Sequence, residues 1–165
     1  MGYNASTVDK WKQSGTLFFW RFKENERNYP GWHFMLDSFA SESMAALLRA
    51  MRVSAESCER TIVVTRPTEV VLRVPNNRGG AAAWSAPAKL RLEYSVDNPA
   101  AWSLGAENSV VRWQLGAEHI SIVAEAFADP IKFFDSSIGS DPVVWSWGLL
   151  ERLVPNSSLE RTRDR

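Results

Sequence analysis

Few groups in this 165-residue chain can do chemistry: two histidines, one cysteine and a scatter of carboxylates. His33 sits in Asn28-Tyr29-Pro30-Gly31-Trp32-His33-Phe34, between two aromatics and just after a rigid bend. A histidine there marks either the edge of a functional site or a strand entering the core. The other histidine, His119, is far along the chain. Neither belongs to a His-Glu-x-x-His pair, and no EF-hand loop occurs. The single cysteine, Cys58, rules out a Cys-rich zinc site and any intramolecular disulfide. No metal and no cofactor are therefore expected. No Gly-x-Ser-x-Gly elbow is present. Cys58 lies in Ala55-Glu56-Ser57-Cys58-Glu59-Arg60, where neighbouring carboxylates disfavour a thiolate, so its expected role is structural. Asn77-Arg78-Gly79-Gly80 pairs two glycines with a cation and has the composition of an anion-binding nest. It lacks the Gly-Lys-[Ser/Thr] of a P-loop. It opens a long loop, Asn76–Pro87, that also carries Trp84, and long loops in compact domains are often functional. His33, Asn77, Arg78 and Trp84 are thus the candidate binding residues. Asp37, Asp97, Glu118, Glu125, Asp129 and Asp135 are available for acid–base work, but no spacing pairs them.

Eight tryptophans are the strongest compositional signal. Each brings a large apolar surface and an N–H that needs a partner. They fit core packing first, and in second place an interaction surface, since binding hot spots are rich in aromatics. Trp32, Trp145 and Trp147 are the candidates for such a surface. Charge is balanced, 19 basic against 19 acidic residues, so the basic footprint of a nucleic-acid binder is missing. No apolar run is long enough for a membrane span or a signal peptide, and the lone cysteine fits a reducing compartment; a cytoplasmic location is expected. Met1-Gly2-Tyr3-Asn4-Ala5-Ser6 meets the loose myristoylation pattern but has no polybasic second signal.

The elements that would position these residues follow from periodicity. Residues 1–15 are polar and read as a loose arm, as do 156–165 at the other end. Thr16–Phe22 is dense in aromatics and reads as a strand, and Trp32–Leu36 as a second. Alternation there sets Trp32, Phe34 and Leu36 on one face and His33 and Met35 on the other. Met44, Leu47, Leu48 and Met51 form a helical stripe, with Ser38 or Ser41 as cap. Thr61–Thr65 is a β-branched run. Glu69–Val74 fits either a short strand or one helical turn. Lys89–Tyr94 and Val110–Leu115 alternate cleanly; residues 117–128 step by three and four and favour a helix, while Ile120–Val123 has strand-like residue types and leaves a strand open; Val143–Trp147 reads as a final strand.

The order is strand, strand, helix, strand, given twice. It predicts one α+β domain: a mostly antiparallel sheet of about six strands, two main helices on one face, and a possible pseudo-repeat. No constellation of catalytic residues accompanies the excess of aromatics. The expected role is therefore non-catalytic: binding a protein partner, as an inhibitor or immunity protein does, or self-association. The alternative is an enzyme or small-ligand binder with a pocket near Asn76–Pro87.

Overall fold

The computed structural model describes residues 3–153; side chains are described from Thr7. The elements in order are α1 (Tyr3–Lys10), β1 (Leu17–Phe22), β2 (Trp32–Leu36), α2 (Ser38–Arg52), β3 (Cys58–Val63), α3 (Glu69–Leu72), β4 (Trp84–Ser85), β5 (Lys89–Tyr94), β6 (Trp102–Glu107), β7 (Val110–Leu115), α4 (Ala117–Ala128), β8 (Ser136–Ile138) and β9 (Val144–Leu149). The class is α+β. The strands form two mixed sheets rather than one antiparallel sheet: five strands in the order β4-β1-β2-β9-β8, and four in the order β3-β5-β7-β6.

The reason lies in the crossovers. β1 and β2 pair antiparallel, Trp20 opposite His33, but β2 then pairs in parallel with β9 from the far end of the chain. β3, which follows α2, joins the other sheet through β5, and β5 runs parallel to β7. Each main helix thus carries the chain from one sheet to the other, and the expected strand-strand-helix-strand units do not close on themselves. Alternation reports the face of a strand, not its neighbour.

One core joins the inner faces of both sheets to α2 and α4. It holds Leu17, Phe19, Trp32, Phe34 and Leu36 from the larger sheet, Leu90, Leu92, Val111, Trp113 and Leu115 from the smaller, and Phe127 from α4. Phe34 stacks on Phe127 at 4.4 Å between ring centroids. Each such side chain, fully buried, contributes roughly 1.5–3 kcal/mol. A second cluster covers the outer face of the larger sheet. Phe18, Trp20, Phe22, Met35 and Trp147 pack there against Val71 and Leu72 of α3 and Ala82.

Local chemistry sets the ends. Asp37 caps α2, its Oδ1 accepting from the Ala40 N–H at 2.8 Å, so the cap falls one residue before the serine expected. Ser38 instead donates its N–H and hydroxyl to the Glu151 carboxylate. The expected N-terminal arm is in part α1, anchored by fully buried Val8 and by Trp11, whose Nε1 donates to the Ser43 carbonyl. The expected tail, 156–165, lies outside the described residues.

Candidate functional site

On the outer side of the larger sheet a cleft of about 410 Å³ is lined by Asn25, Asn28, Tyr29, Asn76, Arg78, Asp135, Trp145 and Trp147. Three chain segments meet there: the β1–β2 turn, the loop after α3, and β9 with the turn before β8. Arg78, Trp145 and Trp147 were candidates on sequence grounds, and the fold brings them together.

The floor is aromatic because β9 places Trp145 and Trp147 on one face, two residues apart. Trp145 stacks on Trp147 (6.0 Å, 20°), Trp147 on His33 (6.1 Å, 22°) and His33 on Trp20 (5.7 Å, 24°). This row of rings runs from β9 across β2 to β1. It ends at Trp145, whose cross-strand partner on β8 is the small, exposed Ser137.

His33 is inside this row, with no exposed surface. Trp147 Nε1 donates to His33 Nδ1 at 2.9 Å, which requires the ring proton on Nε2, facing the Tyr29 carbonyl at 3.3 Å. Burial lowers its pKa from 6.5 to about 4, only partly offset by the Tyr29 contact. His33 is therefore a neutral core histidine and offers no atom to a ligand, which corrects its candidacy.

The rim is polar and knitted together. Asn77 is fully buried; its amide donates to the Glu24 carbonyl at 3.0 Å and accepts from Asn25 at 3.2 Å, while Asn28 donates to Asn25 at 3.0 Å. Arg78 pairs with Glu24 at 3.2 Å. Asn77 is thus a brace behind the rim rather than a binding group. Asn25, Asn76, Arg78 and Asp135 all have left-handed backbone, φ between 50° and 57°. Such conformations are costly away from glycine and concentrate at functional sites. Asn25 and Asn28 were not candidates from the sequence, Asn76 was only the first residue of the long loop, and Asp135 only one of six unpaired carboxylates. Their only signal was Asn or Asp at turn positions, which ordinary turn chemistry also explains.

Two further depressions adjoin the cleft. Trp147 also lines a groove of about 280 Å³ with Ile131, Phe134, Gly148, Leu149, Arg152 and Leu153. Ile131 and Phe134 are about half exposed there. Trp145 also lines a depression of about 620 Å³ with Arg21, Trp32, Leu104 and the 139–143 loop.

The remaining candidates do not line the cleft itself. Trp32 is 5% exposed and stacks on Phe19 in the central core, so it has little surface for a partner. Trp84 sits on β4, under the Arg66 guanidinium at 4.9 Å, away from the cleft lining. Cys58 is half-buried with its pKa raised by burial first, then by Asp9, and lowered in part by a Ser54 hydrogen bond; the flanking carboxylates are not the main cause. Among the described residues no group of three or more His, Cys, Asp or Glu side chains is placed to hold a metal, and no helix is long and apolar enough to cross a membrane. No protein-family model matches the chain, and no curated protein or solved structure shows significant similarity to it.

Proposed function

We propose that this chain is a non-catalytic binding protein that holds an extended segment of a partner protein across the Trp145–Trp147 face. The observation that carries this reading is the sharing of walls: one tryptophan or the other lines each of three adjoining depressions. An elongated concave surface with an aromatic centre suits a polypeptide, whose side chains drop alternately into separate hollows. The chemistry is graded along it. The Ile131–Phe134 end takes an apolar side chain. The Asn25–Asn28–Asn76 rim offers amides, each with donors and an acceptor, that match an extended peptide backbone.

The test is selection from a random peptide library, followed by affinity measurement on variants. Selected peptides are expected to carry a large apolar residue and to lose affinity by about ten-fold or more on Trp145→Ala and on Phe134→Asp, in the range of a binding hot spot. Peptides whose affinity is unchanged by both substitutions would place binding elsewhere.

A second reading, a small polar ligand in the cleft alone, is favoured by the four left-handed residues on its rim. It predicts that a metabolite raises the melting temperature and that Asn76→Ala cancels the rise, with Phe134→Asp having no effect.

A further inference from the structure

The four sheet edges are treated differently. β4 has two residues and β8 three, short edges of the kind that limit further pairing. β3 is blocked: Gln13 donates its amide to the Val63 carbonyl at 2.9 Å and accepts from the Val63 N–H at 2.8 Å, as a bridging strand would. β6 has six residues, an unbroken register with β7, and no proline, lysine or bulge. Natural proteins blunt such edges, because an open one is a template for another strand.

The direction of the free groups is fixed by the hairpin. Asn108 and Ser109 are both left-handed (φ 51° and 69°) and form a two-residue turn, which makes Glu107 and Val110 its closing hydrogen-bonded pair. Ser103, Gly105 and Glu107 therefore bond to β7. The N–H and C=O of Leu104 and Ala106 point away from the sheet.

Gly105 has an ordinary backbone, and a Cβ there would meet nothing within 4 Å. The chain's own packing does not require glycine at this mid-strand position, where glycine weakens a sheet. Its cross-strand neighbour is Arg112, which binds Glu93 through Nε and Nη2 and keeps Nη1 unused among the described residues. Glu107 is exposed two residues along β6.

From this edge we propose that a second copy of this chain adds to β6, antiparallel, with Ala106 of both copies on the two-fold axis. That register gives reciprocal Ala106 hydrogen bonds and places Glu107 of each copy opposite Gly105 of the other. Above the bare glycine, Glu107 meets Arg112 from the neighbouring chain; two strand spacings, about 10 Å, separate their backbones, and the two long side chains close that gap. The arrangement makes two symmetric ion pairs and an eight-stranded sheet. A parallel register would set the two Glu107 carboxylates side by side. A two-fold interface repeats one patch on both subunits, and here that patch carries both signs of charge.

Sedimentation of the full chain tests this, with circular dichroism to confirm folding of each variant. The wild type is expected to dimerise. Ala106→Pro deletes an outward N–H not used among the described residues and is expected to leave a folded monomer. Glu107→Arg and Arg112→Glu are each expected to weaken self-association on the order of 100-fold, since like charges then meet. Mixed in equal amounts, these two variants are expected to form a heterodimer, because both contacts again join opposite charges. A monomeric wild type, a dimer that survives Glu107→Arg, or a mixture that stays monomeric would each overturn the proposal. The charge variants keep the test decisive should Ala106→Pro fail to fold.

Discussion

The two sheets share a ladder of pairings but differ in what covers them. Read along β1-β2-β9-β8 and along β6-β7-β5-β3, the neighbours are antiparallel, parallel and antiparallel in both. The larger sheet is apolar on both faces. Its outer face is closed by α3, Ala82 and the chain around Leu150 and Leu153. The smaller sheet turns Glu59, Arg91, Glu93, Arg112 and Gln114 outward, with Arg112 donating to Glu93 at 2.8 and 2.9 Å. The difference follows from chain supply. The 64–88 segment packs α3, Ala82 and Trp84 against the outer face of the larger sheet, and the smaller sheet has no such segment among the described residues. A face without cover must be soluble, so it is built from ion pairs; a covered face can be built from rings.

The comparison breaks first at Trp20, on the covered face and fully buried. Trp20→Ala is expected to cost about 3–5 kcal/mol in urea unfolding, the range for large buried aromatics. Thr61→Ala, on the open face of the smaller sheet, is expected to stay within about 0.5 kcal/mol. Trp20 Nε1 is buried with no hydrogen-bond partner among the described residues, so Trp20→Phe should recover much of the loss by removing an unsatisfied donor. Comparable costs at Trp20 and Thr61 would show that the two outer faces are not distinct.

Acid gives the next largest effect. The folded pKa of His33 is about 4, below its ordinary 6.5, so the unfolded chain binds a proton that the folded chain refuses between those values. Stability is full above pH 6.5 and falls as pH drops toward 4, by about 3 kcal/mol in all. His33→Gln keeps an acceptor for Trp147 Nε1 and removes this titration, so its stability should be flat from pH 6.5 down to about 5, above the carboxylate range. Denaturant midpoints measured across it check both curves.

On the open face, Glu93 is the hub. Hydrogen bonds from Arg112 hold its carboxyl below the usual range; burial opposes them, and a Gln114 hydrogen bond and the charges of Arg112 and Arg91 add to the lowering. Its contribution is present above its unfolded pKa and lost as pH falls. Glu93→Gln is expected to cost about 1 kcal/mol at low ionic strength and less in high salt, because its partners are exposed. His33→Gln should show no such salt dependence, which separates a ring-packed face from an ion-paired one.

The sequence spoke to faces and was silent on neighbours. Leu90, Leu92 and Tyr94, Val111, Trp113 and Leu115, and the split of Trp32 from His33 were all readable by alternation, and all are buried as their spacing implies. The 117–128 helix was readable from its three-and-four stepping. β6 escaped because Ser103, Gly105 and Ala106 carry too little side chain to show a period. α1 escaped because its polar surface hides one anchor, Val8. The pairing of β2 with β9 has no local signal, since parallel neighbours lie far apart in the chain. In the cleft, Trp145 and Trp147 announced themselves by type. The rim depends on backbone conformation at Asn25, Asn76 and Asp135, which residue type only weakly reports.

The smallest expected effect is at Gly105, on the edge that only the smaller sheet leaves open. Gly105 costs β6 stability without an intramolecular return, so Gly105→Ala is expected to raise the stability of the monomer by roughly 0.5–1 kcal/mol. Gly105→Val fills the same open space and adds strand preference, so it too should stabilise the isolated chain. Both are measured by thermal unfolding of dilute protein, where association does not contribute. If Glu107 of a second copy passes above this position to reach Arg112, the valine stands in its path. The same substitution should then strengthen the monomer and weaken its self-association. A valine that stabilises the chain and leaves association intact would mean that the bare glycine serves neither the sheet nor a second copy.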